Sequence, residues 1–187
     1  MNPYIKLAQL AVENYIRNKE IISPPLNLPK DFFQKKSGVF VSIEKEGDLR
    51  GCIGTYLPTR KNIAEELIHN AIAAATEDYR FGPIQREELP RLSYTVYILN
   101  KPKLVKSISE LDPKKFGIIV KGASAISSGQ SDIVFNGHRF FKSGLLLPDL
   151  EGVDTAEKQI FIACQKAGID PRREKIIIYK FTAEKYK

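Results

Sequence analysis

Residues 39–56, VFVSIEKEGDLRGCIGTY, decide the fold class of this chain. Apolar and polar residues alternate from Val39 to Glu44, which predicts a half-buried strand. The turn residues Glu46-Gly47-Asp48 follow, and Leu49 to Tyr56 is predicted to return as a second strand. The segment therefore predicts an antiparallel hairpin.

A helix is predicted directly after this hairpin, over residues 61–77. Its apolar residues recur at helical spacing and form a wide stripe. Many of them are alanines, which favours close packing of the helix against the sheet. The segment Glu77 to Pro83 is predicted to end it.

Further helices and strands are interspersed along the rest of the chain. Asp154 and Glu157 have the spacing of a helix start. Gly168 is a residue type that commonly ends a helix. Residues 92–99 are predicted to be a strand with one buried face. The other predicted elements are helices over 4–19 and 155–167, an extended proline-rich connector over 23–31, strands over 116–121 and 176–182, a mobile loop over 123–132 and a hairpin turn at Asn136-Gly137.

Hairpins early and late with few helices between them predict an α+β fold with a mainly antiparallel sheet. Regular alternation of strands and helices, the mark of a doubly wound fold, is missing. The length of 187 residues fits a single domain over 1–187, or two small lobes that share a core.

Composition excludes two broad classes of protein. Hydrophobic residues make up 43% and charged residues 27%, which is too apolar for a mostly disordered chain. No apolar run approaches the roughly 18–20 residues that a transmembrane helix needs. The apolar stripe over residues 4–16 is interrupted by polar residues and lacks a cleavage site, so we expect it to belong to the fold.

The two cysteines, Cys52 and Cys164, are too few for a secreted disulfide scaffold, and we expect a reduced, cytoplasmic protein. Neither they nor His69 and His138 show metal-ligand spacing, so we expect no metal. Glycine-rich nucleotide-binding motifs are also missing, and we expect no cofactor.

Most of the net charge of +7 comes from residues 101–142, which hold 8 basic and 3 acidic residues. A solvated lysine-rich surface explains this bias, and so does a patch for an acidic partner or a nucleic acid. The segment lacks the interleaving of aromatic and basic residues that binds single strands. Nucleic-acid binding is therefore the weaker alternative.

The segment Leu49 to Gly54, LRGCIG, is the most unusual of the chain. In a strand, Arg50, Cys52 and Gly54 share one face, with Arg50 and Cys52 about 6–7 Å apart. A nearby guanidinium favours a reactive thiolate at Cys52. Alternatively, Cys52 is a small packing residue and the glycines make room for the alanine-rich helix.

This segment resembles the signature hexapeptide of the AMMECR-type domain family. Residues 70–81 (NAIAAATEDYRF), 143–154 (SGLLLPDLEGVD) and 163–169 are similar to further segments of the family. The resemblance covers residues 37 to 183. It is strongest to the prokaryotic branch called AmmeMemoRadiSam system protein A.

The resemblance implies a compact α+β domain of two lobes with a cleft between them, the terminal segments sharing the larger lobe. It also implies two partners, a Memo-like protein and a radical S-adenosylmethionine protein. The catalytic candidate is Cys52, because of the nearby Arg50 guanidinium. The candidate ligand-binding residues are Arg50, Gly51, Gly54, Asp78, Arg80, Phe81, Ser143 and Gly144.

Three function classes follow from these observations. The favoured one is a domain that binds a small anionic molecule or a peptide within a modification system. A thiol-dependent enzyme using Cys52 is the first alternative, and weak nucleic-acid binding through residues 101–142 is the second. Asp78 and Arg80 are open to two interpretations, a local ion pair that holds the helix end or a wall on which Arg80 binds an anion.

Overall fold

The computed structural model of the protein describes residues 1–123, 133–135 and 138–187. Residues 124–132 of the predicted loop and the predicted turn at 136–137 lie outside the described residues. Two compact units make up the chain: Met1–Asn100 with Glu184–Lys187, and Lys101–Ala183.

The described residues form four α-helices, nine strands and two short 3₁₀-helices, Arg86–Arg91 and Ile108–Glu110. In chain order, the helices and strands are α1 (Pro3–Asn18), α2 (Asp31–Gln34), β1 (Gly38–Lys45), β2 (Asp48–Gly54), α3 (Ile63–Thr76), β3 (Leu92–Leu99), β4 (Lys103–Leu104), β5 (Gly117–Ala123), β6 (Ile133–Phe135), β7 (His138–Leu146), α4 (Ala156–Ala167), β8 (Lys175–Phe181) and β9 (Ala183–Tyr186).

The first sheet has the strand order β2-β1-β3-β9. β1 and β2 form the predicted antiparallel hairpin, in which Ser42 lies opposite Cys52. Its turn has positive φ at Glu46 and Gly47, a conformation that glycine adopts without strain. Helices α1 and α3 pack on this sheet, and their apolar faces form the core of the first unit.

Local capping sets the ends of these helices. The side chain of Asn2 accepts a hydrogen bond from the Tyr4 N–H at the start of α1, and Lys19 closes that helix with φ of 61°. Asn62 caps α3 by accepting from the Glu65 N–H. The predicted boundaries of both helices are therefore confirmed to within two residues.

The second sheet has the strand order β4-β8-β5-β7-β6, and its pairings are antiparallel. Helix α4 packs on β7 and β5. Thr155, rather than the predicted Asp154, caps this helix by accepting from the Lys158 N–H. Gly168 ends it with φ of 63°, as predicted.

Several sequence predictions were wrong in detail. Strand β2 ends at Gly54 and not at Tyr56, although the Thr55 N–H still donates to the Val39 carbonyl of β1 at 3.0 Å. Asp31 begins the short helix α2 and is not part of the extended connector. The chain ends in a further strand, β9, beyond the segment predicted to be last.

Strand β3 is buried on both faces from Tyr94 to Leu99, not on one face as predicted. One face joins the core of the first unit. On the other face, Lys185 lies over the Tyr97 ring at 5.8 Å. A strand in the interior of a sheet can be covered on both sides, which removes the alternation of buried and exposed residues.

The structure confirms an α+β fold with antiparallel sheets. Within the described residues, no helix is both long and apolar enough to cross a bilayer.

Candidate functional site

The two glycines of the LRGCIG segment lie where backbone approaches backbone. A Cβ atom on Gly51 would stand 2.1 Å from the carbonyl oxygen of Ala74 in α3. A Cβ atom on Gly54 would stand 2.4 Å from the Val39 carbonyl oxygen of β1. Gly51 therefore makes room for the alanine-rich helix, as one interpretation of the sequence predicted, whereas Gly54 makes room for the neighbouring strand β1.

Arg50 is engaged by the segment that follows α3. Its Nε and Nη2 donate to the two carboxylate oxygens of Glu88 at 3.0 Å each. Its Nη1 donates to the Gly82 carbonyl at 2.8 Å, and Nη2 also donates to the Pro83 carbonyl at 3.3 Å. Arg50 thus fastens residues 82–88 to the edge of the sheet.

Glu88 is the counter-ion that sequence reasoning missed. It also accepts from Lys45 at 3.0 Å and from the Gln85 N–H at 2.9 Å. The hydrogen bond from Arg50, partly opposed by burial and reinforced by Gln85 and Lys45, lowers the pKa of Glu88 to about 2. Lys45 and Glu88 are 43 positions apart, so local spacing carries no signal for the pair.

Asp78 joins Cys52 to Arg80. Its Oδ2 accepts the backbone N–H of Cys52 at 2.8 Å and Nη2 of Arg80 at 2.7 Å. Its Oδ1 accepts Nε of Arg80 at 2.9 Å. The hydrogen bonds from Arg80, partly opposed by burial and supported by the Cys52 N–H, lower the pKa of Asp78 to about 2. The local ion pair, one of the two interpretations of Asp78 and Arg80, is present in the structure.

Arg80 interacts electrostatically with Cys52. The hydrogen bond to Asp78 raises the pKa of Arg80, burial opposes this, and electrostatic interactions with Asp78, Cys52 and Tyr79 raise it further. Cys52 itself is half-buried, whereas Cys164 in the second unit is 1% exposed. Burial, followed by the charge of Glu174, raises the pKa of the Cys164 thiol.

Two aromatic side chains flank Arg80. The guanidinium carbon lies 5.3 Å from the centre of the Phe81 ring, a cation–π distance. Tyr79 is 96% exposed, while 43% of the Arg80 side chain is exposed. We call Cys52, Asp78, Tyr79, Arg80 and Phe81 the Arg80 surface. Tyr79 was not among the predicted site residues, although it stands between Asp78 and Arg80 in the sequence.

A second buried carboxylate shapes the loop after β2. Glu66 of α3 accepts hydrogen bonds from the side chains of Thr55 and Thr59 and from the backbone N–H groups of Thr59 and Arg60. Burial alone would raise the pKa of Glu66, but these hydrogen bonds together lower it. The acidic residue lies on the helix face that also carries core residues, so helical periodicity alone did not predict its burial.

The model of the AMMECR1 family matches residues 5–186 of this chain. The chain belongs to the AMMECR1 family. It is 47% identical to a protein of Thermotoga maritima over all of this chain and 98% of that protein. It is 42% identical to a protein of Clostridium acetobutylicum over all of this chain, but spans only 36% of that longer protein.

A solved AMMECR1-like structure supports the same fold. The crystal structure of an uncharacterized protein from Pyrococcus horikoshii, PH0010, superposes with a TM-score of 0.81 at 31% identity. The match covers 97% of this chain and 88% of that one. The α+β architecture described above is therefore shared with that structure.

The remaining predicted site residues of this AMMECR1 chain lie in the second unit. Ser143 is exposed on β7. A Cβ atom on Gly144 would stand 1.9 Å from the carbonyl oxygen of Ala163 in α4, the same kind of helix–strand contact as at Gly51. Ligand binding by Ser143 and Gly144, and the cleft between two lobes, stay predictions.

Proposed function

We propose that the protein binds an anionic group, of a small molecule or of a peptide, on the Arg80 surface. The observation that carries this proposal is that the Arg80 guanidinium is fixed on one side by hydrogen bonds and exposed on the other. Asp78 fixes the Nε and Nη2 side of its guanidinium, while 43% of the side chain is exposed. An arginine held in this way keeps its Nη1 donors for an incoming carboxylate or phosphate.

The surroundings of Arg80 favour a ligand with both charged and apolar parts. Asp78 is 5% exposed, so an incoming anion meets the guanidinium and not the carboxylate. The exposed ring of Tyr79 supplies contact area at low cost in conformational entropy. Arg50 already donates hydrogen bonds to Glu88 and to two backbone carbonyls. We therefore assign the anion contact to Arg80 and a positioning role to Arg50.

The proposed context is a modification system with a Memo-like protein and a radical S-adenosylmethionine protein. Resemblance to the AmmeMemoRadiSam branch supports it, together with membership of the AMMECR1 family. We also propose a cytoplasmic location. Within the described residues neither cysteine forms a disulfide, which agrees with a reducing compartment.

An anionic and a neutral alkylating reagent test the anion site directly. The quantity of interest is the ratio of two alkylation rates at Cys52, that of iodoacetate over that of iodoacetamide. We expect this ratio to be at least five-fold higher in the native protein than in the unfolded chain. Arg80 attracts the carboxylate of the reagent beside the thiol, so Arg80→Gln should return the ratio to the unfolded value. The measurement is the rate of mass increase at Cys52 by peptide mass spectrometry.

Arg86→Gln is the matched control, because Arg86 is an exposed arginine of the neighbouring 3₁₀-helix and the charge change is the same. It should leave the ratio within two-fold of wild type. A ratio that does not differ between native and unfolded protein would refute the anion site. Circular dichroism melts show whether each variant is folded.

A thiol-dependent enzyme using Cys52 is the second candidate, favoured by the proximity of Cys52 to Arg80 through Asp78. The pH dependence of iodoacetamide alkylation separates the two functions. The rate of an activated thiolate stops rising near neutral pH, whereas that of an ordinary thiol rises to above about pH 8.5. The first result would favour nucleophilic chemistry, and the second a binding module.

The partner proposal has its own expected outcome. Purified protein mixed with the Memo-like and radical S-adenosylmethionine proteins of the same genome should form a complex in sedimentation velocity runs. If the Arg80 surface presents a ligand to those partners, Arg80→Gln leaves assembly intact and changes only ligand-dependent steps. Sedimentation of all three as separate species, with and without S-adenosylmethionine, would contradict the partner proposal.

A further inference from the structure

The second unit carries an apolar groove where the short strand β4 leaves the edge of the sheet. The groove has a volume of about 530 Å³ and is lined by residues 104–108, Ile160 of α4 and Ile176 to Ile178 of β8. Leu104 and Ile108 in its wall are 43% and 48% exposed. A grouping of exposed apolar side chains at one place differs from the scattered ones found on any surface.

An open strand edge lies along this groove. β4 pairs with β8 through Lys103 and Leu104, and the Val105 N–H donates to the Ile178 carbonyl at 2.9 Å. In an antiparallel strand, every second residue directs its backbone N–H and C=O groups to the same edge. Ile178 bonds to Val105 on this edge, so the N–H and C=O groups of Ile176 also point toward the groove. Among the described residues, no strand pairs with Ile176 on this edge.

The sequence after β4 keeps this edge open. Continued pairing would bring Ser107 opposite Ile176, but the Ser107 N–H donates to the Glu110 carboxylate at 3.2 Å. The Lys106 N–H donates to the same oxygen at 3.0 Å. This capping box starts the 3₁₀-helix Ile108–Glu110 and turns the chain away from β8.

Positive charge surrounds the groove. Lys103, Lys106 and Lys175 are exposed, and each lines the groove or is the chain neighbour of a lining residue. Glu110, the acidic residue at the end of the same segment, is neutralised by Lys180 at 2.9 Å. A second copy of this chain would bring the same lysines to the edge, so the charge favours an acidic occupant.

The geometry points to a docking site for an extended segment of a partner protein in which acidic and apolar residues alternate. The segment adds as a strand beside β8 and exchanges backbone hydrogen bonds with Ile176. Its apolar side chains fill the groove against Leu104 and Ile108, and its acidic side chains meet the lysines. The site uses no residue of the Arg80 surface and does not depend on the function proposed there.

Synthetic peptides test this site. The probe is a fluorescein-labelled heptapeptide, Glu-Val-Glu-Ile-Glu-Val-Glu, and its counterpart has lysine in place of glutamate. We expect the acidic peptide to bind at least ten-fold tighter than the lysine peptide in fluorescence anisotropy. Hydrogen exchange at the Ile176 amide should slow at least ten-fold when the acidic peptide is added.

Ile108→Glu should weaken binding of the acidic peptide at least ten-fold, because it puts a negative charge in the groove. Phe161→Glu is the matched control, since Phe161 is 58% exposed on α4 and does not line the groove. Equal binding of both peptides, or equal effects of both variants, would overturn the proposal. So would a dimer of the protein alone that Ile108→Glu dissociates, because a second copy would then be the occupant.

Discussion

Gly144→Ala and Gly51→Ala are each expected to lower the free energy of unfolding by at least about 3 kcal/mol, the upper range for overpacked sites. The added Cβ atoms would stand 1.9 Å from the Ala163 carbonyl oxygen and 2.1 Å from the Ala74 carbonyl oxygen. The obstacle in each case is helix backbone. Relief therefore requires movement of a whole helix, α4 or α3, away from its sheet.

Gly82→Ala is the control for both variants. A Cβ atom on Gly82 has no heavy atom within 4 Å, and its φ is not positive. Its effect should stay within about 0.5 kcal/mol. Urea unfolding followed by circular dichroism gives the three values, and a loss of under about 1 kcal/mol at Gly144 or Gly51 would contradict the close helix–strand contact.

The sequence predicted the elements whose residues follow a local period. The β1–β2 hairpin, α1, α3 and α4 each combine a regular apolar pattern with a turn or capping residue. The interpretation of Gly51 as room for the alanine-rich helix was also available from the sequence. A glycine in a strand next to such a helix is one way to let the two backbones approach closely.

Local sequence patterns could not predict which residues the site residues contact. Arg50 and Glu88 are 38 positions apart, and Cys52 and Asp78 are 26 positions apart. Periodicity reports which face of its own element a residue occupies, but not which distant element meets that face. Sequence periodicity therefore predicted neither the binding of Arg50 by Glu88 nor the electrostatic interaction of Arg80 with Cys52.

The same limit explains why the sequence did not predict strand β9. A four-residue strand, Ala183–Tyr186, has too few alternating positions to stand out from a charged chain end. What places it is the edge of β3 and the stack of Tyr186 on Tyr4, whose ring centres are 4.5 Å apart. Such a strand is specified by its partner more than by its own composition.

Acid is expected to destabilise the protein through Asp78 and Glu88. Both carboxylates have pKa values of about 2 in the folded protein, against ordinary values near 4. Because the folded pKa is the lower one, the stabilisation is complete above the unfolded pKa and is lost as the pH falls toward 2. Each buried carboxylate should contribute about 2 to 3 kcal/mol, most of it lost between pH 5 and pH 2.

Asp78→Asn and Glu88→Gln isolate these contributions. At pH 7 each variant should be less stable than wild type by about 2 to 3 kcal/mol, and the difference should shrink as the pH is lowered to 3. Urea unfolding at pH 7, 5, 4 and 3 measures this convergence. Glu87→Gln, at an exposed neighbour of Glu88, should track wild type at every pH. If the variants stay equally far below wild type down to pH 3, the loss comes from packing and not from the ionised carboxylates that hold Arg80 and Arg50.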